Sequence, residues 1–146
     1  MTLYLDTSSL VKIYVAEPDS DSVRTLVDRA TVVATSGIAY PETRAALARR
    51  RRERALSPTA YRIASRAFED DWPRYLVVDV SAAICREAGN LAERYRLRGY
   101  DSVHLACYLE IARRAGVEAT QFSSFDERLN RAARAAVKAV VREDRR

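Results

Sequence analysis

Short apolar segments alternate with longer amphipathic segments along this chain, and that alternation is the feature that most restricts its fold. Strands are predicted over 1–5, 31–35, 75–80 and 117–122, with a short fifth strand over 137–141. Helical periodicity separates them, as in the apolar residues spaced at i, i+4, i+7 and i+11, which are Ile84, Ala88, Leu91 and Tyr95. Strands that alternate with helices form a mostly parallel sheet covered on both faces. The pattern therefore predicts the α/β class.

Turn residues set the expected ends of several helices. Ser8 or Ser9 is expected to cap the first helix, because a side-chain oxygen there can accept from a free backbone N–H. Asp101 is expected to cap a later helix in the same way, and Gly99 to hold the left-handed position that ends the helix before it. Other helices are predicted over 21–29, from 41 into an arginine-rich segment, over 58–72 and from 126 to about 136.

Length and composition predict one globular domain over residues 1–146. Hydrophobic residues make up 48% of the chain and charged residues 31%, and only four Gly and four Pro argue against long disordered linkers. The two cysteines, Cys85 and Cys107, lack metal-ligand spacing and are expected to be buried free thiols of a reducing compartment. No apolar run approaches the roughly 18 residues of a membrane span, and no leader pattern precedes the first strand. We expect a cytoplasmic protein without membrane contact.

Positive charge is unevenly distributed. The formal net charge is +5, and arginines 49–52 form one continuous block: Arg49, Arg50, Arg51 and Arg52. Guanidinium groups pair with phosphate oxygens in two-point fashion, which suits binding of a nucleic-acid backbone. Taken alone, such a block is more often a solvated helix face. It is therefore a candidate RNA-binding segment only if other residues indicate a nucleic-acid substrate.

Four carboxylates stand at or near the starts of predicted helices: Asp6, Glu42, Asp101 and Asp126. Strand-to-helix turns of a parallel sheet all lie at one edge, so the acids that follow strands one, two and four should converge there. Asp101 can join them if its helix points its amino terminus the same way. Each acid alone is explained as readily by helix capping or by the helix dipole. The set of four is what indicates a site.

Clustered carboxylates need a cation, because like charges at close range raise pKa values and destabilise the fold. Mg²⁺ prefers oxygen ligands and usually links one or two carboxylates to substrate phosphate. Two such ions ~3.5–4 Å apart can clamp the attacking and leaving oxygens of a phosphodiester. Ser8, Ser9 and Ser124 adjoin the acids, and their hydroxyls can orient carboxylates or metal-bound water, although plain helix capping explains Ser9 equally well.

The sequence offers no competing catalytic motif. The single histidine, His104, has no Ser-His-Asp arrangement around it and is expected to be a packed or surface helix residue. No glycine-rich phosphate loop is present either.

Four segments, in order and over nearly the whole chain, resemble the motifs of PIN-domain ribonucleases, particularly the VapC-type toxins. They are 5–14 (LDTSSLVKIY), 40–42 (YPE), 97–106 (LRGYDSVHLA) and 122–129 (FSSFDERL). The resemblance implies a three-layer α/β/α sandwich around a mostly parallel sheet. It also implies Mg²⁺- or Mn²⁺-dependent endonucleolytic cleavage of RNA, inhibition by a VapB-type antitoxin, and a possible homodimer.

Carried over by position, the resemblance assigns Asp6, Glu42 and Asp101 to the family's core acids and Asp126 to its fourth. Ser8 takes the place of the small polar residue two positions after the first acid. Ser124 stands where the family more often has threonine, a difference that keeps the hydroxyl. All four acids are thus candidate catalytic and metal-binding residues, with Ser8 and Ser124 in support.

Two other functions compete with this one. A non-catalytic PIN-like module would bind RNA or protein without cleaving it, and the presence of all four acids argues against that reading. An aspartyl-phosphate protein would use Asp6 as a nucleophile, but the phosphatase form needs a second acid where this chain has Ser8.

Overall fold

The computed structural model describes all 146 residues and contains a four-stranded, wholly parallel sheet. Its strands are β1 (Thr2–Leu5), β2 (Val32–Ser36), β3 (Leu76–Val78) and β4 (Thr120–Ser123). They lie in the order β3-β2-β1-β4, so β1 is central and pairs with both β2 and β4. Leu5 pairs with Ser123, which brings the carboxyl ends of β1 and β4 to the same level.

Seven helices cover the sheet: α1 (Thr7–Tyr14), α2 (Ser20–Arg29), α3 (Ala39–Arg52), α4 (Pro58–Asp71), α5 (Ala82–Tyr95), α6 (Gly99–Ala115) and α7 (Glu127–Asp144). Short 3₁₀ turns at Trp72–Arg74 and Val117–Ala119 lead into β3 and β4. Every strand is followed by a helix, as the parallel direction of its neighbours requires.

Alternation along β1 divides the core into two layers. Tyr4 packs with residues of α5, α6 and α7, and its ring stacks on Phe122 with 5.8 Å between centroids. Leu3 and Leu5 point to the opposite layer, where they meet α1, α2, α3 and α4. Burial of each such leucine contributes about 1.5–3 kcal/mol relative to exposure. The expected three-layer α/β/α sandwich is confirmed.

The predicted fifth strand over 137–141 is wrong, because α7 runs without a break to Asp144. The valines in this segment favour a strand only locally. Ala132, Ala133, Ala136 and Val140 are buried at helical spacing, and packing of this face against α6 decides the structure. Tertiary burial therefore overrides the β-branched run.

Three predicted helix ends also differ. Asp6, not Ser8 or Ser9, caps α1 by accepting from the backbone N–H of Ser9 at 3.0 Å. Arg96, with φ 55°, holds the left-handed position after α5, and Gly99 already belongs to α6. Asp101 consequently lies inside the first turn of α6 and does not cap it. Its carboxylate is left for other partners.

Cys107 is buried as predicted, whereas Cys85 is exposed on α5. The apolar neighbours of Cys85 in sequence lie on a different side of that helix, where Ile84, Ala88 and Leu91 face the core. None of the seven helices is long and apolar enough to cross a membrane.

Candidate active site

The predicted site residues follow the carboxyl ends of the strands. Asp6 comes directly after β1, and Asp126 lies in the turn between β4 and α7. Glu42 lies in the first turn of α3, shortly after β2, and Asp101 in the first turn of α6. Hydrogen bonds and ion pairs join these positions into two connected groups.

Asp6 is the most constrained of the four acids. It is buried, with 4% of its surface exposed, and both oxygens accept hydrogen bonds. Oδ1 accepts from Ser8 Oγ at 2.7 Å and from the Ser9 N–H at 3.0 Å, while Oδ2 accepts from Ser124 Oγ at 2.6 Å. Donors to both oxygens hold the carboxylate in one orientation. Ser8 and Ser124 therefore lie where a supporting role requires them.

Arg98 joins Asp101 and Asp126. Its Nε donates to Asp101 Oδ2 at 3.0 Å and its Nη2 donates to Asp126 Oδ2 at 3.2 Å. The Asp126 N–H in turn donates to Ser124 Oγ at 3.0 Å, and Ser124 is the residue that donates to Asp6. Asp6, Asp101 and Asp126 thus form one group, linked through one guanidinium and one hydroxyl.

Burial raises the pKa of Asp101 above its ordinary value. The hydrogen bond and charge of Arg98 oppose that shift, whereas the nearby charges of Asp126 and Asp6 add to it. Desolvation penalises the ionised form, and one exposed arginine only partly offsets the penalty. Asp126 and Asp6 are therefore close enough for their charges to disfavour the ionised form of Asp101.

Glu42 belongs to a second, adjoining group. Its Oε1 accepts from Thr7 Oγ1 at 2.8 Å and lies 2.9 Å from His104 Nε2. Because a carboxylate only accepts, the proton of His104 lies on Nε2, and in the neutral ring Nδ1 accepts from the Tyr4 hydroxyl at 2.9 Å. No protein donor reaches Oε2 of Glu42, which leaves that oxygen for a ligand or a proton.

His104 is a packed helix residue, as predicted, but its contact with the candidate site was not predicted. Only 2% of its surface is exposed, and it holds Glu42 in place. Spacing on α6 could have indicated this, since His104 follows Asp101 by three residues and the two share one side of the helix. Thr7 and Arg98 also contact the acids, and neither was predicted from the sequence as a site residue. Arg98 precedes Asp101 by three residues, the spacing of a local ion pair.

The arginine block lies at the far end of α3 from the acids. Glu42 is in the first turn of that helix and arginines 49–52 are in its last, on the order of 10–15 Å away along the axis. Arg50 is paired with Glu17 and Arg49 with Glu53, while Arg52 makes no ion pair. Contact of this block with RNA stays a prediction.

No three acid, histidine or cysteine side chains are grouped so as to hold a metal ion in the structure as it stands. The chemistry of the donors nevertheless fits one, because carboxylate and hydroxyl oxygens are the ligands that Mg²⁺ and Mn²⁺ prefer. Two of the carboxylates, those of Asp101 and Asp126, are already bridged by a cation, Arg98, whose side chain is 60% exposed. The arrangement is therefore that of an oxygen-rich centre in which a guanidinium occupies the place between two acids.

A cavity of about 730 Å³ lies away from these acids. Its lining residues come mainly from β1, β2, β3, α5 and α6 and include none of the four acids. Ligands of open α/β sheets bind beyond the carboxyl ends of the strands. We therefore place the candidate site at the acids rather than in this cavity.

Comparison with known proteins relates the chain to a described family. The model of the PIN domain matches residues 3–135. Two Mycobacterium tuberculosis proteins named ribonuclease VapC45 (strain CDC 1551) and ribonuclease VapC49 (strain H37Rv) are each 37% identical to it over 134 residues, covering 92% of this chain and 90% of theirs. Ribonuclease VapC46 of the same species is 30% identical over 142 residues, covering 95% of both chains.

Solved structures share the fold at lower identity. Mycobacterium tuberculosis VapC20, described as a toxin that cleaves the sarcin-ricin loop, superposes with a TM-score of 0.65 and 21% identity, covering 89% of this chain and 94% of that one. FitAcB from Neisseria gonorrhoeae gives 0.59 and 18%, covering 90% and 92%. VapBC2 from Rickettsia felis, bound to a DNA fragment from its promoter, gives 0.55 and 15%, covering 86% and 100%.

Proposed function

This chain belongs to the PIN domain family, and on that premise we propose that it is a metal-dependent endoribonuclease, the toxin of a VapBC-type toxin–antitoxin pair. The ribonuclease names of relatives at 37% identity support the ribonuclease part of the proposal. The observation that carries the chemistry is the group formed by Asp6, Asp101 and Asp126 through Arg98 and Ser124. Such a concentration of negative charge favours binding of a cation.

Asp6, Asp101 and Asp126 would hold Mg²⁺ or Mn²⁺, with Glu42 alongside through its unengaged Oε2. When bound, the cation supplies a Lewis acid that polarises the phosphodiester and makes nearby water more acidic. Asp6 contributes a carboxylate already oriented by Ser8, Ser9 and Ser124. Because this carboxylate is already held in place, the reaction does not bear the entropic cost of ordering a mobile ligand.

Arg98 has a second role in this proposal. Its guanidinium neutralises Asp101 and Asp126 in the structure, and it has the fork geometry that pairs with phosphate oxygens. With the two acids holding a cation, Arg98 would turn its guanidinium toward the RNA backbone. The same residue would thus shield the acids before substrate arrives and position the phosphate afterwards.

Glu42 is the candidate proton acceptor. Thr7 and His104 both contact its Oε1, so the side chain is held while Oε2 stays without a protein partner. A carboxylate fixed in this way can take a proton from an attacking water, provided that the water lies within hydrogen-bonding reach. Removal of His104 would then act on the orientation of Glu42 and only indirectly on the reaction.

End-group analysis of the products tests the reaction. Purified protein is incubated with RNA in Mg²⁺ or in excess chelator, and the new 5′ and 3′ ends are identified. Internal cuts with uniform ends in Mg²⁺ and none in chelator support a metal-dependent endoribonuclease. Equal cleavage in chelator contradicts the metal requirement, and loss of nucleotides only from the ends contradicts endonucleolytic attack.

One observation favours a second candidate, a non-catalytic PIN-like module that binds RNA or protein. The acids are not grouped to hold a metal as they stand, and Arg98 already compensates two of them. Calorimetric titration with Mn²⁺ separates the two functions. Binding that disappears in the Asp101→Asn variant supports the nuclease, and no binding by the unaltered chain supports the inert module.

The partner that we propose is a VapB-type antitoxin, in keeping with the VapC names of the relatives and with the VapBC2 structure. Co-expression with the product of a small neighbouring reading frame, followed by purification on a tag carried by that product, tests the proposal. Recovery of a stable complex supports it, and separate elution contradicts it. Sedimentation of the isolated chain tests the further proposal of a homodimer.

A further inference from the structure

One buried tyrosine is linked to the candidate site through a single side chain. Tyr4 lies on the central strand β1 with 0% of its surface exposed, and its hydroxyl contacts His104 Nδ1 at 2.9 Å. The other ring nitrogen of His104, Nε2, lies 2.9 Å from Glu42 Oε1. Tyr4 makes no hydrogen bond to any of the four acids, so its hydroxyl reaches the site only through His104.

These contacts cross from one layer of the sandwich to the other. Tyr4 packs in the layer of α5, α6 and α7, and His104 belongs to α6. Glu42 belongs to α3, which covers the opposite face of the sheet together with α1. Thr7 of α1 completes the group on that side, because its hydroxyl donates to Glu42 Oε1 at 2.8 Å and lies 3.1 Å from His104 Nε2. The two layers are therefore joined at the carboxyl end of β1.

The partners fix where the protons lie when the imidazole ring is neutral. A carboxylate only accepts and Thr7 already donates to it, so the proton on Nε2 of His104 is shared between Glu42 Oε1 and Thr7 Oγ1. Nδ1 then carries a lone pair, and the Tyr4 hydroxyl is the donor that satisfies it. Burial raises the pKa of Tyr4 well above its ordinary value, so this hydroxyl keeps its proton.

We propose that Tyr4 is a positioning residue, which fixes the His104 ring so that Nε2 holds Glu42 Oε1 and Oε2 stays free for the attacking water. The inference rests on the proposed function, in which Glu42 is the proton acceptor. The χ2 torsion of histidine is broad, so a ring held at one nitrogen alone can turn. Hydrogen bonds at both nitrogens restrict it to one orientation, as the second partner of a functional histidine commonly does.

Satisfying buried polar atoms is the alternative role for these contacts. A role in the site is favoured because His104 and Thr7 converge on one oxygen of Glu42, while the other oxygen has no protein donor. The hydroxyl of Tyr4 is also not needed to fill the core, since the ring alone stacks on Phe122. A hydroxyl that served stability alone would change the free energy of unfolding on its removal and leave kcat unchanged.

Nitrogen NMR of the imidazole ring tests the orientation without any RNA. His104 is the only histidine of the chain, so its two ring signals need no assignment. We expect one tautomer in the unaltered chain, with a slowly exchanging proton on Nε2. Tyr4→Phe should make that proton exchange faster with water, because the ring is then held at one nitrogen only. Tyr108→Phe is the matched control, since Tyr108 is a buried tyrosine of the same layer whose hydroxyl makes no hydrogen bond.

Steady-state cleavage of RNA in Mg²⁺ tests whether this orientation affects the reaction. Tyr4→Phe should lower kcat by about 2- to 10-fold, the factor that an ordinary hydrogen bond is worth. KM should stay nearly unchanged, because the contact acts on the reacting step rather than on substrate binding. His104→Gln keeps a donor for Glu42 and should retain more of kcat than His104→Leu, and Tyr108→Phe should match the unaltered chain.

The two measurements also separate this inference from the function on which it rests. If the unaltered chain cleaves RNA, an unchanged Nε2 proton signal or an unchanged kcat in Tyr4→Phe overturns the inference alone. Equal losses of kcat in Tyr4→Phe and Tyr108→Phe overturn it as well, because they would reflect the core and not the ring of His104. An unaltered chain that cleaves no RNA overturns the proposed function and the role of Tyr4 in it, whatever the spectra show.

Discussion

Asp101 has a buried carboxylate whose charge its surroundings only partly compensate. Burial raises the pKa of this group above its ordinary value of 3.8, with Asp126 and Asp6 adding to the shift. An acid with a raised pKa binds its proton more tightly in the folded state than in the unfolded state, so folding stability falls as pH rises past the ordinary value. The charge of Asp101 therefore lowers the stability of the folded state at neutral pH.

Asp101→Asn should therefore stabilise the fold. Asparagine keeps the shape and can still accept from Arg98, but it removes a desolvated charge, and we expect a gain of about 0.5–2 kcal/mol at neutral pH. Urea denaturation measures it. The gain should shrink as pH falls toward 3.8, where the carboxyl of the unaltered chain is itself protonated. Asp28→Asn, the same change at an exposed position of α2, is the matched control. A loss of stability in Asp101→Asn at neutral pH would contradict this account of the site.

Arg98 competes with any metal ion for Asp101 and Asp126. Arg98→Gln removes the guanidinium and should strengthen Mn²⁺ binding by a few-fold, because the displaced contacts are those of an exposed cation. Isothermal titration calorimetry measures the affinity. Arg94→Gln, an exposed arginine near the end of α5, is the control. Weaker Mn²⁺ binding in Arg98→Gln would mean that Arg98 organises the acids for the metal rather than competing with it.

At the scale of elements, a polar cluster fastens α1 to the end of α4. The Tyr14 hydroxyl donates to Asp71 at 2.9 Å and contacts the hydroxyl of Tyr75, which precedes β3. Burial raises the pKa of both tyrosines, that of Tyr75 to about 12. Both folded-state values lie above the ordinary value of 10, so the cluster's contribution to stability is complete below pH 10 and is lost as pH rises toward 12 and beyond.

Tyr14→Phe should cost about 0.5–1.5 kcal/mol at neutral pH, the usual net value of a hydrogen bond. The variant should also lose less stability than the unaltered chain between pH 9 and 11, since one buried titrating hydroxyl is gone. Urea midpoints across that range measure both effects. Tyr95→Phe removes a hydroxyl that makes no hydrogen bond and should match the unaltered chain. An equally steep alkaline loss in Tyr14→Phe would contradict the assignment.

The elements also show which local signals the sequence carries and which it does not. Hydrophobic periodicity predicted all seven helices and the four strands, because each element has its own buried face. The valines of 137–141 were wrongly predicted to form a strand. Their helical conformation depends on packing of α7 against α6, which the local sequence does not show. Helix ends at Asp6, Arg96 and Gly99 depend on backbone angles that several residue types can adopt.

For the molecule as a whole, parallel topology is what made the position of the acids predictable. Acids after β1, β2 and β4 had to reach one edge of the sheet once the strands were parallel, and Asp101 follows because α6 begins at that edge. Arg98, Thr7 and His104 could not be placed in the same way. Their roles depend on side-chain contacts between α1, α3 and α6. Such contacts join residues far apart in the sequence, so spacing along the chain does not predict them.

We propose that the acids at this edge of the sheet cleave RNA with the help of a divalent cation. The most direct measurement compares RNA cleavage by the unaltered chain and by Asp101→Asn, in Mg²⁺ and in chelator, with Asp28→Asn as the control and circular dichroism to confirm folding. We predict that chelator stops cleavage and that Asp101→Asn lowers the rate by about 10²–10³-fold in Mg²⁺, a loss typical of removing one essential electrostatic group. Undiminished cleavage by folded Asp101→Asn, or cleavage that persists in chelator, would contradict the claim.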